Sequence, residues 1–299
     1  MTRGACSENR AEKIPDGADR GEGMGEKVKG RLLIIGGAED KTGEMEILKE
    51  AVRLMDGGRM VVMTTATEHP EESGHAYRAL FTRLGAREVE AVRVDTRREA
   101  SGAEAAKALR RADAVFFTGG DQLRITSILG GTRAYQALFD AYRRGALIAG
   151  TSAGASALSS TMIVDGLNNE QARKCTLKMA PGLGLLEQTL IDQHFAQRGR
   201  LGRLLTGVAE NPHALGIGID EDTAIRIDPD ACFFVLGSGA VTVIDGVTIE
   251  ESNVSELAPN EILAIQGVTL HVLPRNYGFD MKTRQVLPPG RADPAAARQ

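Results

Sequence analysis

A serine stands in Gly150-Thr151-Ser152-Ala153-Gly154, directly after the apolar run Ala146-Leu147-Ile148-Ala149 and directly before the helix-competent Ala155-Ser156-Ala157-Leu158. In that context Ser152 reads as a nucleophile on a strand-to-helix elbow. Small flanking residues permit the sharp turn that lifts a hydroxyl out of a sheet, and the following helix turns its partial positive end toward the reaction centre. A serine hydroxyl is a weak nucleophile until a base takes its proton, and the base needs an acid to fix its tautomer and stabilise its charge. Of the five histidines, His69 and His75 precede the elbow, His213 follows Pro212 in a turn, and His271 belongs to a late, edge-like strand. His194 closes the strand-like run Thr189-Leu190-Ile191-Asp192-Gln193, and sites in open α/β sheets assemble at that end of the strands. His194 is the expected base.

If the chain order is Ser, acid, His, the orienting carboxylate comes from Asp165, Glu170, Glu187 or Asp192; Glu187 precedes a strand, and position alone cannot choose between Asp165 and Glu170. Asp192 shares the strand face of His194 by the period-two rule and could point toward substrate rather than the ring. Gly119-Gly120-Asp121 ends another strand-like run and opens a helix at Gln122. The Gly120 N–H is therefore a candidate oxyanion donor unobstructed by a Cβ, with the Ala153 N–H as the second. Arg198, Arg200 and Arg203 follow the expected base closely and suit a carboxylate-binding pocket. Gly36-Gly37-Ala38 completes neither a phosphate loop nor a dinucleotide fingerprint, so no cofactor or metal is expected.

These groups need a framework. Strand-length apolar runs over 31–35, 60–65, 90–94, 114–118 and 146–149 alternate with helix-like stretches, the pattern of a parallel sheet covered on both faces. Over 44–55, Met45, Ile47, Leu48, Val52 and Met55 form one apolar helical stripe. A second helix opens after Pro70-Glu71-Glu72 and ends at Gly85, and a third covers 99–111. Beyond the serine the pattern changes to short strands over 161–164, 189–192, 214–219, 224–227, 232–236, 241–244 and 269–272, with a helix over 199–210. These strands are expected to extend or decorate the same sheet. The expected organisation is a disordered leader over 1–29, with Met24 a second candidate start, a single α/β domain over 30–287 and a flexible tail over 288–299.

The formal net charge of −4 carries no basic excess of the kind that nucleic acid or anionic membrane attracts. No apolar stretch approaches the roughly 20 residues of a transmembrane helix. Three scattered cysteines, Cys6, Cys175 and Cys232, make neither a disulfide framework nor a zinc site and indicate a reducing, cytoplasmic setting.

Four stretches together resemble the cyanophycinases, relatives of the aspartyl dipeptidase called dipeptidase E: Gly36-Gly37-Ala38-Glu39-Asp40, Phe117-Thr118-Gly119-Gly120-Asp121-Gln122, Gly150-Thr151-Ser152-Ala153-Gly154-Ala155 and Asp192-Gln193-His194-Phe195 with its three arginines. The resemblance runs in order from about Leu32 to about Asp222. It implies a three-layer α/β sandwich with a largely parallel central sheet, like the class I glutamine amidotransferases and flavodoxin, pairing as a homodimer. It implies a serine exopeptidase that degrades cyanophycin, a poly-aspartate carrying arginine on each β-carboxyl, to β-Asp-Arg dipeptides. By the same resemblance Ser152 is the nucleophile, His194 the base and Glu170 the orienting acid, with Gln122, Asp121, Asp192, Gln193, Arg198, Arg200 and Arg203 lining the substrate pocket. The rival readings are an aspartyl dipeptidase with the same triad and a non-catalytic protein that holds acidic peptides.

Overall fold

The computed structural model describes residues 30–290 apart from 169 and 170. The expected leader, most of the expected tail and Glu170 therefore lie outside the described residues.

In the first half of the chain each strand is followed by one or two helices: β1 (Arg31–Ile35), α1 (Glu46–Leu54), β2 (Arg59–Met63), α2 (Pro70–Arg83), β3 (Glu88–Val92), α3 (Arg97–Ala100), α4 (Ala103–Arg110), β4 (Ala114–Phe117), α5 (Gln122–Leu129), α6 (Arg133–Arg144), β5 (Leu147–Thr151) and α7 (Ala153–Ala157). Strands dominate the remainder: β6 (Thr161–Gly166), β7 (Leu177–Pro181), β8 (Thr189–Gln193), α8 (Leu201–Glu210), β9 (Leu215–Ile219), β10 (Thr223–Ile227), β11 (Cys232–Gly237), β12 (Ala240–Asp245), β13 (Glu251–Ser252), β14 (Ile265–Gln266), β15 (Thr269–Pro274), β16 (Gly278–Asp280) and β17 (Gln285–Leu287). The helix expected over 99–111 is two. A capping box, Thr96 with Glu99, starts the first, and the second starts at its own N-cap, Gly102.

The central sheet runs β17-β16-β11-β10-β1-β5-β4-β2-β3. The five strands from β1 to β3 are mutually parallel, and the other four add to β1 antiparallel. β1, β2, β4 and β5 are buried on both faces, which explains their largely apolar sequences, whereas the edge strand β3, Glu88-Val89-Glu90-Ala91-Val92, is largely exposed. In β1, Leu32 and Ile34 enter one core while Leu33 and Ile35 enter the other. Helices α1 and α2 cover the second core through Ile47, Leu48, Tyr77 and Phe81. Helices α4, α5 and α6 cover the first through Leu109, Ile125 and Leu138.

The later strands divide between the central sheet, a second sheet and two small two-stranded sheets, β6-β7 and β13-β14. β10 and β11 extend the central sheet as expected, joined by β16 and β17, whereas β15-β12-β9-β8 form a separate four-stranded sheet. The reason is visible in β9, Leu215-Gly216-Ile217-Gly218-Ile219. Its three large side chains enter the main core on one face. Its glycine face admits other groups: a Cβ on Gly218 would stand 2.5 Å from the Phe195 ring, and one on Gly216 2.7 Å from Val208. β9 is thus sandwiched between the main core and α8, away from the central sheet's edge. Within the four-stranded sheet β8 and β9 are parallel, with Gln193 opposite Ile219, so the two strands end side by side.

Candidate active site

Ser152 follows β5 directly, and its N–H donates to Ile35 O at the end of β1 (3.0 Å). Its backbone, at φ 52° and ψ −113°, lies where L side chains rarely sit, a conformation that costs roughly 1–3 kcal/mol and persists only when its surroundings impose it. The surroundings are the glycines. A Cβ on Gly150 would stand 2.5 Å from the Gly154 carbonyl, and one on Gly154 2.4 Å from Phe117 O. The turn can be this tight only with hydrogen at both positions.

His194 closes β8, also at positive φ (49°), with its N–H donating to Gly36 O at 2.8 Å. Its Nε2 is 2.9 Å from Ser152 Oγ. Its Nδ1 is 2.7 Å from Oε1 of Glu221. The ring lies close against Gly37 (φ 99°), where a Cβ would come within 2.3 Å of Cε1. Burial pushes the imidazole pKa below its ordinary 6.5; the Glu221 hydrogen bond and charge oppose that shift, and the charges of Arg198 and Arg200 add to it. The ring is therefore neutral near pH 7, and Nδ1–H donating to Glu221 leaves the Nε2 lone pair facing the serine hydroxyl.

Glu221 is the residue that the sequence reading missed. It lies in Asp220-Glu221-Asp222, immediately beyond β9. The flanking carboxylates are occupied: Asp220 accepts from the N–H groups of Ala196 and Ala240, and Asp222 from the Asp40 N–H and the Ser238 hydroxyl. These four bonds anchor the turn and leave the middle carboxylate for His194. The available signal was an acidic triplet closing a strand beside the one that His194 closes. The expected chain order Ser, acid, His directed the search to residues before His194, and Glu170, the residue indicated there, lies outside the described residues.

Gly119 is close to the serine, its Cβ position 3.5 Å from Ser152 Cβ. Gly120 (φ 141°) passes so near Ala66 that a Cβ would meet that carbonyl at 2.1 Å. The Asp121 N–H is bonded to Ala66 O, whereas the N–H groups of Gly120 and Ala153 make no hydrogen bond among the described residues. Asp121 is exposed and caps α5 through Leu123 N. Gln122 spends both amide N–H bonds on the carbonyls of Ile163 and Val164, leaving its own oxygen unused.

The remaining expected pocket residues form a buried ionic knot. Asp192, fully buried, takes Arg203 side-on through Nε (2.6 Å) and Nη2 and also pairs with Arg200 (3.2 Å). Arg200 further donates to Gln193 O and Oε1 and to Asn168 Oδ1. Burial pulls the Arg200 pKa down to about 10, so it remains cationic at neutral pH. Two cations against one anion leave the knot with one positive charge. Arg198 is exposed, and its guanidinium makes no hydrogen bond or ion pair among the described residues.

The model of peptidase family S51 matches residues 32–235, a span that includes Gly37, Ser152, His194 and Glu221. The chain belongs to this family and is a serine-type exopeptidase. It is similar to the cyanophycinase of Synechococcus elongatus, 36% identical over 261 residues, 86% of this chain and 81% of that protein. The cyanophycinase of Trichormus variabilis is 36% identical over 264 residues, 87% and 89% of the two chains. The crystal structure of a peptidase from an acI-B1 Actinobacterium shares the fold, with a TM-score of 0.59 at 21% identity over 82% of this chain and 98% of that one. The resemblance read from the four motifs and the α/β sandwich it implied are both found. Among the described residues no helix is long and apolar enough to cross a membrane.

Proposed function

We propose that this peptidase hydrolyses the poly-aspartate backbone of cyanophycin and releases β-Asp-Arg dipeptides through an acyl-enzyme. The observation that carries the mechanism is the hydrogen-bonded series Ser152 Oγ, His194 Nε2, His194 Nδ1, Glu221 Oε1, with links of 2.9 and 2.7 Å. Ser152 attacks the carbonyl carbon of a backbone amide as its proton passes to His194 Nε2, and Glu221 holds the ring and balances its charge. The tetrahedral oxyanion meets the N–H groups of Gly120 and Ala153. As the C–N bond breaks, His194 returns the proton to the leaving amine, and water then cleaves the ester by the same relay. Glu221 thus takes the role expected of Glu170.

Each repeat of the substrate ends in a guanidinium and a carboxylate, so a pocket needs fixed charges of both signs. Arg198, unpaired among the described residues, suits the carboxylate, backed by the residual positive charge of the knot that Asp192, Gln193, Arg200 and Arg203 form. The unused oxygens of Gln122 and Asp121 suit the guanidinium. The similarity to cyanophycinases over most of their length supports the choice of polymer. The expected setting is the cytoplasm, and the expected assembly a homodimer.

Mass spectrometry of products from wild type and Ser152→Ala, incubated with cyanophycin and separately with α-linked Asp-X dipeptides, tests this reading. Release of β-Asp-Arg by wild type alone is the expected outcome. Cleavage of the dipeptides alone would make the chain an aspartyl dipeptidase, and an active Ser152→Ala would refute the mechanism.

A further inference from the structure

The first of the four sequence motifs, Gly36-Gly37-Ala38-Glu39-Asp40, has one residue that the mechanism does not use. Glu39 is buried, its side chain 1% exposed. A carboxylate in that position is costly unless donors surround it. Three do. Tyr77 of α2 donates its hydroxyl at 2.5 Å and Thr151 of β5 donates Oγ1 at 2.6 Å, while the half-exposed Lys41 ammonium stands 3.3 Å away. Burial and the Glu39 charge push the Tyr77 hydroxyl far above its ordinary range, so it remains a donor at any working pH.

The second partner matters for chemistry. Thr151 immediately precedes Ser152, whose φ of 52° must be imposed by its neighbours. The same short loop also touches the other two members of the relay. Gly36 O accepts from the His194 N–H and Gly37 lies under the ring. Gly37 O accepts from the Asp222 N–H at 2.9 Å, and the Asp40 N–H donates to Asp222 Oδ1 at 2.8 Å, one residue from Glu221. One five-residue loop is therefore hydrogen-bonded to the Thr151 side chain beside the serine, to the His194 N–H and to Asp222 beside Glu221.

We infer that Glu39 is a positioning residue for the peptidase reaction: its buried carboxylate, held by Tyr77 and gripping the Thr151 hydroxyl, locks the strained Ser152 turn to the loop on which His194 and the Glu221 turn are hydrogen-bonded. This rests on Ser152 being the nucleophile. Glu39 touches neither substrate nor the reacting atoms; it acts through Thr151. A purely structural role would lower stability and leave the reactivity of Ser152 alone. Positioning lowers reactivity at constant substrate affinity, because a displacement on the order of 1 Å costs about 10²-fold in rate.

The test measures the rate at which a fluorophosphonate acylates Ser152, a readout independent of the substrate, beside kcat and KM on cyanophycin and the thermal midpoint. Glu39→Gln keeps the shape and removes the charge. Thr151→Val removes only the hydroxyl that Glu39 grips, and Thr151→Ser restores it. Labelling slowed about 10- to 100-fold in Glu39→Gln and in Thr151→Val, with kcat reduced, KM unchanged and most of the rate recovered in Thr151→Ser, is the expected result. The double variant Glu39→Gln/Thr151→Val should be no slower than either single one. Folded variants that label at the wild-type rate would overturn the positioning role while leaving the nucleophile in place, and so would a Thr151→Val variant unaffected beside a slowed Glu39→Gln. Wild type that fails to label would overturn the assignment of Ser152 itself and this inference with it.

Discussion

Gly37→Ala probes the His194 ring without altering any group that moves a proton. The new methyl would stand 2.3 Å from Cε1 and 2.5 Å from Nε2 of His194, where ordinary contact begins at 3.4 Å. Something must move by about 1 Å, and the imidazole is the flexible party. Such a shift carries Nε2 out of reach of Ser152 Oγ, now 2.9 Å away. General-base assistance contributes about 10²–10⁴-fold, so kcat/KM should fall by about 10²-fold or more, which is about 3 kcal/mol of transition-state stabilisation. Alanine at φ 99° also carries a backbone penalty of roughly 1–2 kcal/mol, and this has to be separated from the clash. Gly85 supplies the control: its φ is 101° and a Cβ there meets nothing within 4 Å. Gly85→Ala should lose a few degrees of thermal midpoint and keep its activity, whereas Gly37→Ala should lose a similar few degrees and its activity. Steady-state kinetics and thermal denaturation of both variants decide the matter. A folded Gly37→Ala within threefold of wild type would refute the placement of the ring.

In the proposed mechanism the free base of His194 is the active form and burial lowers its pKa, so kcat/KM should fall toward acid with a midpoint below 6.5. Arg198→Gln removes a charge that lowers this pKa and should move the acid limb to higher pH. Glu221→Gln removes the group that raises it, so the limb should move to lower pH while the rate drops by about 10²–10⁴-fold; pH–rate profiles of the three proteins check both signs. Asp192→Asn strips the counter-charge from two buried arginines and should cost about 3–5 kcal/mol of stability. A lowered denaturant midpoint at constant slope would register that loss.

The inner parallel strands of the central sheet were legible because burial on both faces makes them continuous apolar runs, and β1 and β4 fall within a residue of where those runs stand. The second sheet was not legible. β9 reads as one more short strand, and nothing local states that Gly216 and Gly218 will lie under α8 and Phe195 while Leu215, Ile217 and Ile219 face the main core. That is a property of what packs against the strand. β7, β13, β14, β16 and β17 were missed for a related reason: they are short or edge-placed, and pairing rather than pattern defines them.

The same distinction explains which site residues could be found. Ser152 and His194 each sit where the local chain announces a site, at a glycine-flanked turn after a buried strand and at the end of another strand. Glu221 has no such local mark, since an acidic turn after a strand is ordinary. What makes it the partner of His194 is that β8 and β9 run parallel and in register, Gln193 opposite Ile219, so that their next few residues emerge together at one edge. The order serine, base, acid follows from that pairing. Had β9 joined the central sheet next to β10, as an extension of a single sheet would allow, its acidic turn would have had no reason to meet His194. Asp222 reinforces the point, because its bonds to the Asp40 and Gly37 backbone tie this turn to the loop after β1. The relay is assembled where three strand ends from two sheets converge, and two of its three members are recognisable only as far as their own strand end is.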